Sequence, residues 1–183
     1  MPIAENHGAK IYWDEQGQGE PVLLIMGLGW ASSMWHRTRP VLAAHYRTIA
    51  FDNRGAGRSE VPPGPYLIAT MAADAAAVLA AAGVEKAHLV GASMGRMIAQ
   101  EFALQCPTRV RSLILACTTP GGPQATRAEP EAIQLLFRRD PDPKERAEAA
   151  IPYIYDATTP RERIDEDLGE LSRFYPSPEG FAA

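Results

Sequence analysis

One short stretch near the middle of the chain limits what the chain can fold into. The apolar residues Ala87 to Val90 run into a Gly-x-Ser-x-Gly pattern centred on Ser93, and a helix-forming run from Met97 to Cys106 follows. Glycines on both sides of a serine leave room for a sharp, strained turn against a neighbouring chain segment. The stretch therefore predicts a serine that stands clear of a buried strand, at the start of a helix.

A serine held on such a turn is suited to nucleophilic chemistry. The arrangement is a nucleophile elbow, and the residue after the serine, here Met94, presents its backbone N–H at the helix N-terminus. That N–H would face the negative charge that develops on a substrate oxygen when Ser93 attacks. The five-residue pattern alone also fits an ordinary turn, so the strand before it and the helix after it carry the prediction.

The rest of residues 1 to 123 alternates apolar strands with helical patterns. Unbroken apolar runs such as Pro21 to Met26 are typical of strands that are buried on both faces. The alternation predicts an α/β fold with a mostly parallel sheet flanked by helices. The further predicted strands are Lys10 to Glu15, Pro21 to Met26, Tyr46 to Phe51 and Val110 to Cys117, and the further helices are Met34 to His45, capped by Ser33, and Leu67 to Ala82.

The composition changes beyond Pro123. Residues 124 to 183 hold thirteen acidic and eight basic residues, whereas residues 1 to 123 hold nine and ten. Three charged, helical segments separated by prolines predict a separate helical subdomain, and their charges are those of a solvated face. These segments are Glu131 to Arg139, Lys144 to Tyr155 and Arg161 to Phe174.

Composition also excludes several classes of function. The net charge is −4 and no basic stripe occurs, so nucleic acid is not an expected partner. No apolar run approaches the ~20 residues of a membrane span, and the N-terminus has no signal-sequence pattern, so we expect a cytoplasmic protein without a membrane partner. Cys106 and Cys117 fit no metal-ligand spacing and are expected to be buried, reduced thiols. The glycines near residues 27 and 55 complete neither a dinucleotide nor a phosphate-binding motif, so no cofactor is expected.

Three motifs in the same order resemble the α/β-hydrolase family, in particular its small esterase, enol-lactonase and cofactor-free haloperoxidase branch. The resemblance covers residues 10 to 123 and extends loosely over 124 to 183 as the start of a helical cap. It implies that residues 1–123 form the N-terminal part of a hydrolase core and residues 124–183 an incomplete cap. The motifs are Met26-Gly27-Leu28-Gly29-Trp30, Phe51 to Ser59, and Gly91-Ala92-Ser93-Met94-Gly95.

The resemblance also assigns roles to residues. It implies that Ser93 is the nucleophile and that the backbone N–H groups of Met94 and Leu28 form the oxyanion hole. Met26 stands where the family has a histidine, and we expect this departure to alter the anchoring of the loop rather than the chemistry. Arg96 stands where the family favours a small residue, so its side chain is expected to reach solvent or pair with a carboxylate.

The sequence supplies the nucleophile without its usual partners. Ser93 needs a base, normally a histidine oriented by a carboxylate, and in this fold the order is serine, acid, histidine. The core is therefore expected to be incomplete at its C-terminal side, which leaves Val110 to Cys117 as an exposed edge for a second copy or a complementary C-terminal chain. His36 is the nearest substitute, although a helix-surface role fits it better. All four histidines, His7, His36, His45 and His88, precede Ser93.

The leading hypothesis is a serine hydrolase of carboxylic esters or lactones that acts through an acyl-enzyme on Ser93. Without acid and base, the isolated chain is expected to have weak activity or none. The same residues suit a cofactor-free haloperoxidase or perhydrolase. From a different class, the chain would be a non-catalytic binding or assembly module, or a truncated fragment. The acyl and alcohol groups cannot be read from the sequence, because the cap and the rest of the core would shape the pocket.

Overall fold

The computed structural model describes residues 1–117, 125, 129–136, 143–174 and 180. The chain divides into two compact units, one formed by Met1–Thr118 with Phe174–Ala183 and the other by Thr119–Arg173. Within the described ranges, no helix is both long enough and apolar enough to cross a membrane.

The first unit is built on a sheet of six strands in the order β1-β2-β4-β3-β5-β6. β1 pairs with β2, and β2 with β4, in antiparallel fashion, whereas β4, β3, β5 and β6 run parallel. The expected α/β fold with a mostly parallel sheet is confirmed. The strands are β1 (Ile3–Asn6), β2 (Ala9–Gln16), β3 (Pro21–Ile25), β4 (Arg47–Phe51), β5 (Ala87–Ala92) and β6 (Val110–Ala116).

Side chains of the central strands are buried on both faces of this sheet. On β3, Leu23 and Ile25 belong to the larger apolar cluster, while Val22 and Leu24 belong to a second cluster with Trp35. This alternation explains why β3 reads as an unbroken apolar run. The larger cluster also holds the apolar faces of α2 (Ile68–Ala81) and α3 (Met94–Gln105).

The predicted helix from Met34 to His45 is wrong in its extent. The structure has a 3-10 turn at Ser32–Trp35, without a side-chain cap from Ser33, and a separate helix α1 at Thr38–Ala43. Pro40 explains the division, because proline has no backbone N–H and is tolerated only in the first turn of a helix. A helix that starts at Thr38 places Pro40 in that first turn, whereas one that starts at Met34 would not.

The second unit is helical in all its described elements. It contains α4 (Pro130–Leu136), α5 (Pro143–Ile154) and α6 (Arg161–Arg173), close to the three predicted segments, although residues 137–140 lie outside the described residues. Arg161 bridges α5 and α6, because it contacts Glu148 at 2.7 Å and Asp165 at 2.8 Å. The role of this unit as a cap stays a prediction.

Strand β6 is the last strand of the described sheet, and most of its side chains are exposed. Leu113 and Ile114 are among the exposed apolar side chains, with Ile114 54% exposed. Cys117, which was expected to be buried, is exposed because it directly follows this edge strand, and Cys106 is only half-buried. An apolar, exposed edge is a template for pairing with another chain, so association through β6 stays a prediction.

We expect the chain to self-associate as its concentration rises, and Ile114→Lys to weaken this association, because a charge on an edge strand opposes strand pairing. Sedimentation velocity over a concentration series measures the effect. Val41→Lys on α1, where Val41 is 69% exposed, adds the same charge away from the edge. A monomer at every concentration, or equal weakening by both variants, would contradict the prediction.

Candidate active site

Ser93 lies between the end of β5 and the start of α3 with φ 53° and ψ −124°. This left-handed conformation is rare and strained for a residue other than glycine. Its backbone N–H donates to the carbonyl of Ala116 on β6 at 3.2 Å, and its carbonyl accepts the N–H of Arg96 at 3.1 Å. Ser93 is exposed. The sharp bend and the exposed serine that the sequence predicts are therefore both present.

Three glycines let backbone segments meet around this serine. A Cβ at Gly91 would lie 2.5 Å from the carbonyl oxygen of Gly95, and a Cβ at Gly95 would overlap the carbonyl of Ile25. At Gly27, a Cβ would lie 2.8 Å from the Cβ of Ser93 and 3.2 Å from its Oγ. The loop that follows β3 therefore passes directly against the nucleophile candidate.

A cavity of about 200 Å³ adjoins this loop and the start of α3. Leu28 and Met94, whose N–H groups are the predicted oxyanion-hole donors, both line it. The structure thus brings these two residues to one cavity, with Met94 next to Ser93 in the chain. Their catalytic roles stay predictions. The other lining residues are Gly29, Asn53, Arg54, Gly55, Ala56, Tyr66, Ile68, Met71 and Gly180.

A buried carboxylate joins the motif after β4 to the loop after β3. Asp52 is fully buried, and its Oδ1 accepts hydrogen bonds from the backbone N–H of Ser32 at 2.7 Å and from Ser32 Oγ at 2.6 Å. Its Oδ2 accepts from the N–H and the Nε–H of Arg58, both at 2.9 Å. Arg58 therefore places a guanidinium against the buried carboxylate, as a buried ion pair requires. The position of Asp52 in the chain gives no sign of this role, because its partner Ser32 lies 20 residues away.

Arg58 also stacks on Tyr12, with its guanidinium carbon 3.5 Å from the centre of the ring. Tyr12 donates its hydroxyl to Asp14 Oδ2 at 2.8 Å. The pKa of Tyr12 is raised to about 12, mainly because the phenol is removed from solvent and secondly because of this hydrogen bond. The phenol therefore stays protonated at neutral pH and cannot serve as the base that Ser93 needs.

One wall of the cavity is fixed by an ion pair. Arg54 donates to Asp74 on α2 through Nε and Nη2, each at 2.6 Å, and Asn6 Nδ2 donates to the same carboxylate at 2.7 Å. The hydrogen bonds to Asp74 raise the pKa of Arg54. Its charge is thus paired within the protein by a bidentate contact.

Of the two outcomes expected for Arg96, exposure to solvent is wrong, and pairing with a carboxylate stays a prediction. Arg96 is buried, with 6% of its surface exposed, and its Nε donates to the carbonyl of Cys117 at 3.2 Å. The absence of a side chain at Gly91 accommodates the Arg96 backbone, since a Cβ there would lie 2.6 Å from its Cα. The end of β6 then offers the guanidinium a carbonyl acceptor. The sequence could not show that the end of β6 lies beside Arg96 and offers it this acceptor.

The histidines are distributed over several parts of the first unit. His88 lies on β5, and since strands rise about 3.3 Å per residue, it is roughly 17 Å from Ser93. Its Nδ1 is 2.7 Å from Ser112 Oγ and its Nε2 is 3.3 Å from Glu20 Oε2. This exposed Ser-His-Glu contact was not anticipated from the sequence. His36 is half-buried beside the 3-10 turn, and its proposed substitution for the base stays untested.

The described ranges contain no cluster of three or more His, Cys, Asp or Glu side chains that could hold a metal ion.

Comparison with known proteins identifies the class. A sequence model described as alpha/beta hydrolase fold matches residues 20–150, and the chain therefore belongs to this family. The chain is 44% identical over 115 residues to a putative carbamate hydrolase, RutD, of Azorhizobium caulinodans, which covers 63% of this chain and 43% of that protein. It is 36% identical over 150 residues to a putative non-heme bromoperoxidase, BpoC, of Mycobacterium tuberculosis, which covers 81% of this chain and 54% of that protein.

Solved structures agree with this assignment. The structure of Est816, described as an N-acyl homoserine lactone degrading enzyme, matches with a TM-score of 0.78 and 30% sequence identity. The match covers 100% of this chain and 70% of that chain. The chain spans about half the length of the curated relatives described above. The relatives described above include proteins named as a hydrolase and as a lactone-degrading enzyme.

We expect Gly27→Ala to lower the free energy of unfolding by about 1 to 3 kcal/mol, because its methyl group overlaps the Ser93 side chain in a packed contact. Denaturant unfolding measures this loss. Gly169→Ala is the matched control, since a Cβ at Gly169 meets nothing within 4 Å. In a helix that change should be neutral or stabilising by up to about 1 kcal/mol. Equal stability of the two variants would contradict the close contact of Gly27 with Ser93.

Proposed function

We propose that the chain carries the nucleophile of a serine hydrolase that cleaves carboxylic esters or lactones. The observation that carries the proposal is the exposed Ser93 with φ 53°, held between a parallel strand and a helix. Strain of this kind persists only where the surrounding structure enforces it, and it concentrates at functional sites. Family membership and the hydrolases among the relatives support the same reading.

In the proposed reaction, Ser93 Oγ attacks the carbonyl carbon and loses its proton to a base. The carbonyl oxygen becomes an oxyanion, which the N–H groups of Met94 and Leu28 stabilise. The C–O bond to the alcohol oxygen then breaks, and that oxygen takes up a proton. The alcohol of an open-chain ester leaves, whereas that of a lactone stays attached to the acyl group as a hydroxyl. Water attacks the acyl-enzyme in the same way, releases the acid and restores the serine.

We propose that the reacting end of the substrate is a small, uncharged ester or lactone group. Leu28, Ile68, Met71 and Met94 make the cavity largely apolar, and Arg54 is neutralised by Asp74. The likeness to a protein named carbamate hydrolase suggests a related acyl group, because a carbamate also presents a carbonyl carbon to a nucleophile. We propose that no cofactor takes part.

A fluorophosphonate probe tests this function. We expect slow labelling of the chain that Ser93→Ala abolishes, because no histidine follows Ser93 to act as the usual base. Ser112→Ala is the essential control, since Ser112 Oγ lies 2.7 Å from the imidazole of His88, whereas Ser93 has no such contact among the described residues. Intact mass and peptide mapping locate the adduct.

The labelling has four informative outcomes. Labelling lost only in Ser93→Ala supports the proposal. Labelling lost only in Ser112→Ala assigns the reactivity to the other serine and overturns it. The absence of labelling in the unmodified chain favours a non-catalytic binding or assembly module. Fast, stoichiometric labelling at Ser93 would show that a base is present and would overturn the expectation of a weak site.

A second candidate function is cofactor-free perhydrolysis that leads to halide oxidation. The specific support is the 36% identity to a putative non-heme bromoperoxidase over 81% of this chain. In that chemistry, hydrogen peroxide replaces water as the acceptor of the acyl group and forms a peracid, which oxidises bromide.

For this second candidate, we expect bromination of a β-diketone dye by acetate, hydrogen peroxide and bromide to depend on Ser93, because the peracid forms from the acyl-enzyme. Loss of the bleaching signal in Ser93→Ala, with retention in Ser112→Ala, supports it. Ester turnover without any Ser93-dependent bromination would reject perhydrolysis and leave hydrolysis as the function.

A further inference from the structure

We propose that Asn53 is a positioning residue that holds the loop of residues 26–32 against Ser93. This loop, here named the oxyanion loop, carries Leu28. The amide Nδ2 of Asn53 donates to the carbonyl of Met26 at 2.8 Å, and the contact is buried. Asn53 itself is only 3% exposed. The inference rests on the proposed function, because it assigns the loop a role in stabilising the oxyanion.

Both ends of the oxyanion loop are tied to adjacent residues at the end of β4. Asn53 binds its first residue through the Met26 carbonyl, and Asp52 binds its last through the N–H and Oγ of Ser32. Parallel pairing aligns Ile25 with Phe51, so the loop and the motif leave the sheet side by side. The two side chains thereby fix where the loop begins and where it ends.

The position of the oxyanion loop matters because its backbone at Gly27 lies so close to Ser93 that no side chain fits between them. A Cβ at Gly27 would lie 2.8 Å from the Cβ of Ser93. Leu28 is the next residue and lines the same cavity as Met94. A movement of the Met26 carbonyl therefore moves the Leu28 N–H relative to the reacting atoms, and misplacement by about 1 Å can slow an enzyme by roughly a hundredfold.

The amide of Asn53 is used on one side only. Its Oδ1 is buried and accepts no hydrogen bond within the described residues, whereas Nδ2 is the atom that binds Met26. An unsatisfied buried acceptor lowers stability. An apolar side chain of similar size would remove that cost, but it would also take the donor away from the buried Met26 carbonyl. The bond that this amide makes is thus directed to the loop, and it places the start of that loop.

The experiment compares Asn53→Leu with Thr48→Val in the full 183-residue chain. Thr48 is a matched control, because it lies at the opposite end of β4, is fully buried and donates from Oγ1 to the Gln16 carbonyl at 2.9 Å. Asn53→Asp is the second variant, because it keeps the shape and replaces the donor. The readouts are the rate of fluorophosphonate labelling at Ser93, the Tm, and hydrogen–deuterium exchange of residues 26–32.

We expect Asn53→Leu and Asn53→Asp to slow Ser93 labelling by about tenfold to a hundredfold, while Thr48→Val leaves it within about twofold. Deuterium uptake in residues 26–32 should rise in the two Asn53 variants and stay unchanged in Thr48→Val. The Tm of Asn53→Leu should fall no further than that of Thr48→Val, because the leucine removes a buried, unsatisfied oxygen.

Two results would overturn the inference separately from the proposed function. If the unmodified chain is labelled at Ser93 and both Asn53 variants are labelled at the same rate, the positioning role is wrong and the hydrolase proposal stands. If the unmodified chain is not labelled, the hydrolase proposal fails. Hydrogen–deuterium exchange alone then tests whether Asn53 holds the loop. Unchanged exchange of residues 26–32 in both Asn53 variants then overturns it, whereas faster exchange supports it.

Discussion

The contact between the end of β3 and the start of α3 is the constraint on which the first unit depends. Any side chain at Gly95 would overlap the carbonyl of Ile25, and any side chain at Gly27 would press on Ser93. These approaches hold the loop, the strand end and the helix start within van der Waals distance of each other. The strained conformation of Ser93 is the local consequence, because the chain must turn from β5 into α3 under that contact.

A second layer of interactions keeps this contact in place. The buried carboxylate of Asp52 and the amide of Asn53 leave the end of β4 side by side and bind the loop that follows β3. Arg58 pairs with Asp52, and Arg54 fastens the same glycine-rich segment to α2 through Asp74. The largely apolar cavity beside Leu28 and Met94 is thus bordered by Asn53 and Arg54, whose side chains are held by a buried hydrogen bond and an ion pair.

The features that the sequence predicted well are those set by short-range patterns. Gly91 and Gly95 around Ser93, together with the apolar strand before them and the helical pattern after them, predicted the elbow. The unbroken apolar run of β3 predicted a strand buried on both faces, and the alternation of strands with helices predicted the mostly parallel sheet. The helix predicted from Met34 begins only at Thr38, because Pro40 is tolerated in the first turn of a helix but not in its interior.

Long-range partners could not be predicted in the same way. Asp52 and Ser32 are 20 residues apart, and Asn53 and Met26 are 27 apart, so their contacts depend on β3 and β4 being neighbours in the sheet. The burial of Arg96 likewise depends on the end of β6, which strand order alone brings beside α3. The sequence pattern identified the nucleophile candidate, while the side chains that orient its surroundings required the fold.

The two hydrogen bonds that join the elbow to β6 have a mechanical consequence. Successive carbonyls at the end of that strand, those of Ala116 and Cys117, are bound by the Ser93 N–H and the Arg96 guanidinium. The position of the Ser93 backbone is therefore tied to β6, the last strand of the described sheet. An interaction that orders the end of β6 would also restrict the backbone of Ser93, and one that loosens the end of β6 would give that backbone more freedom.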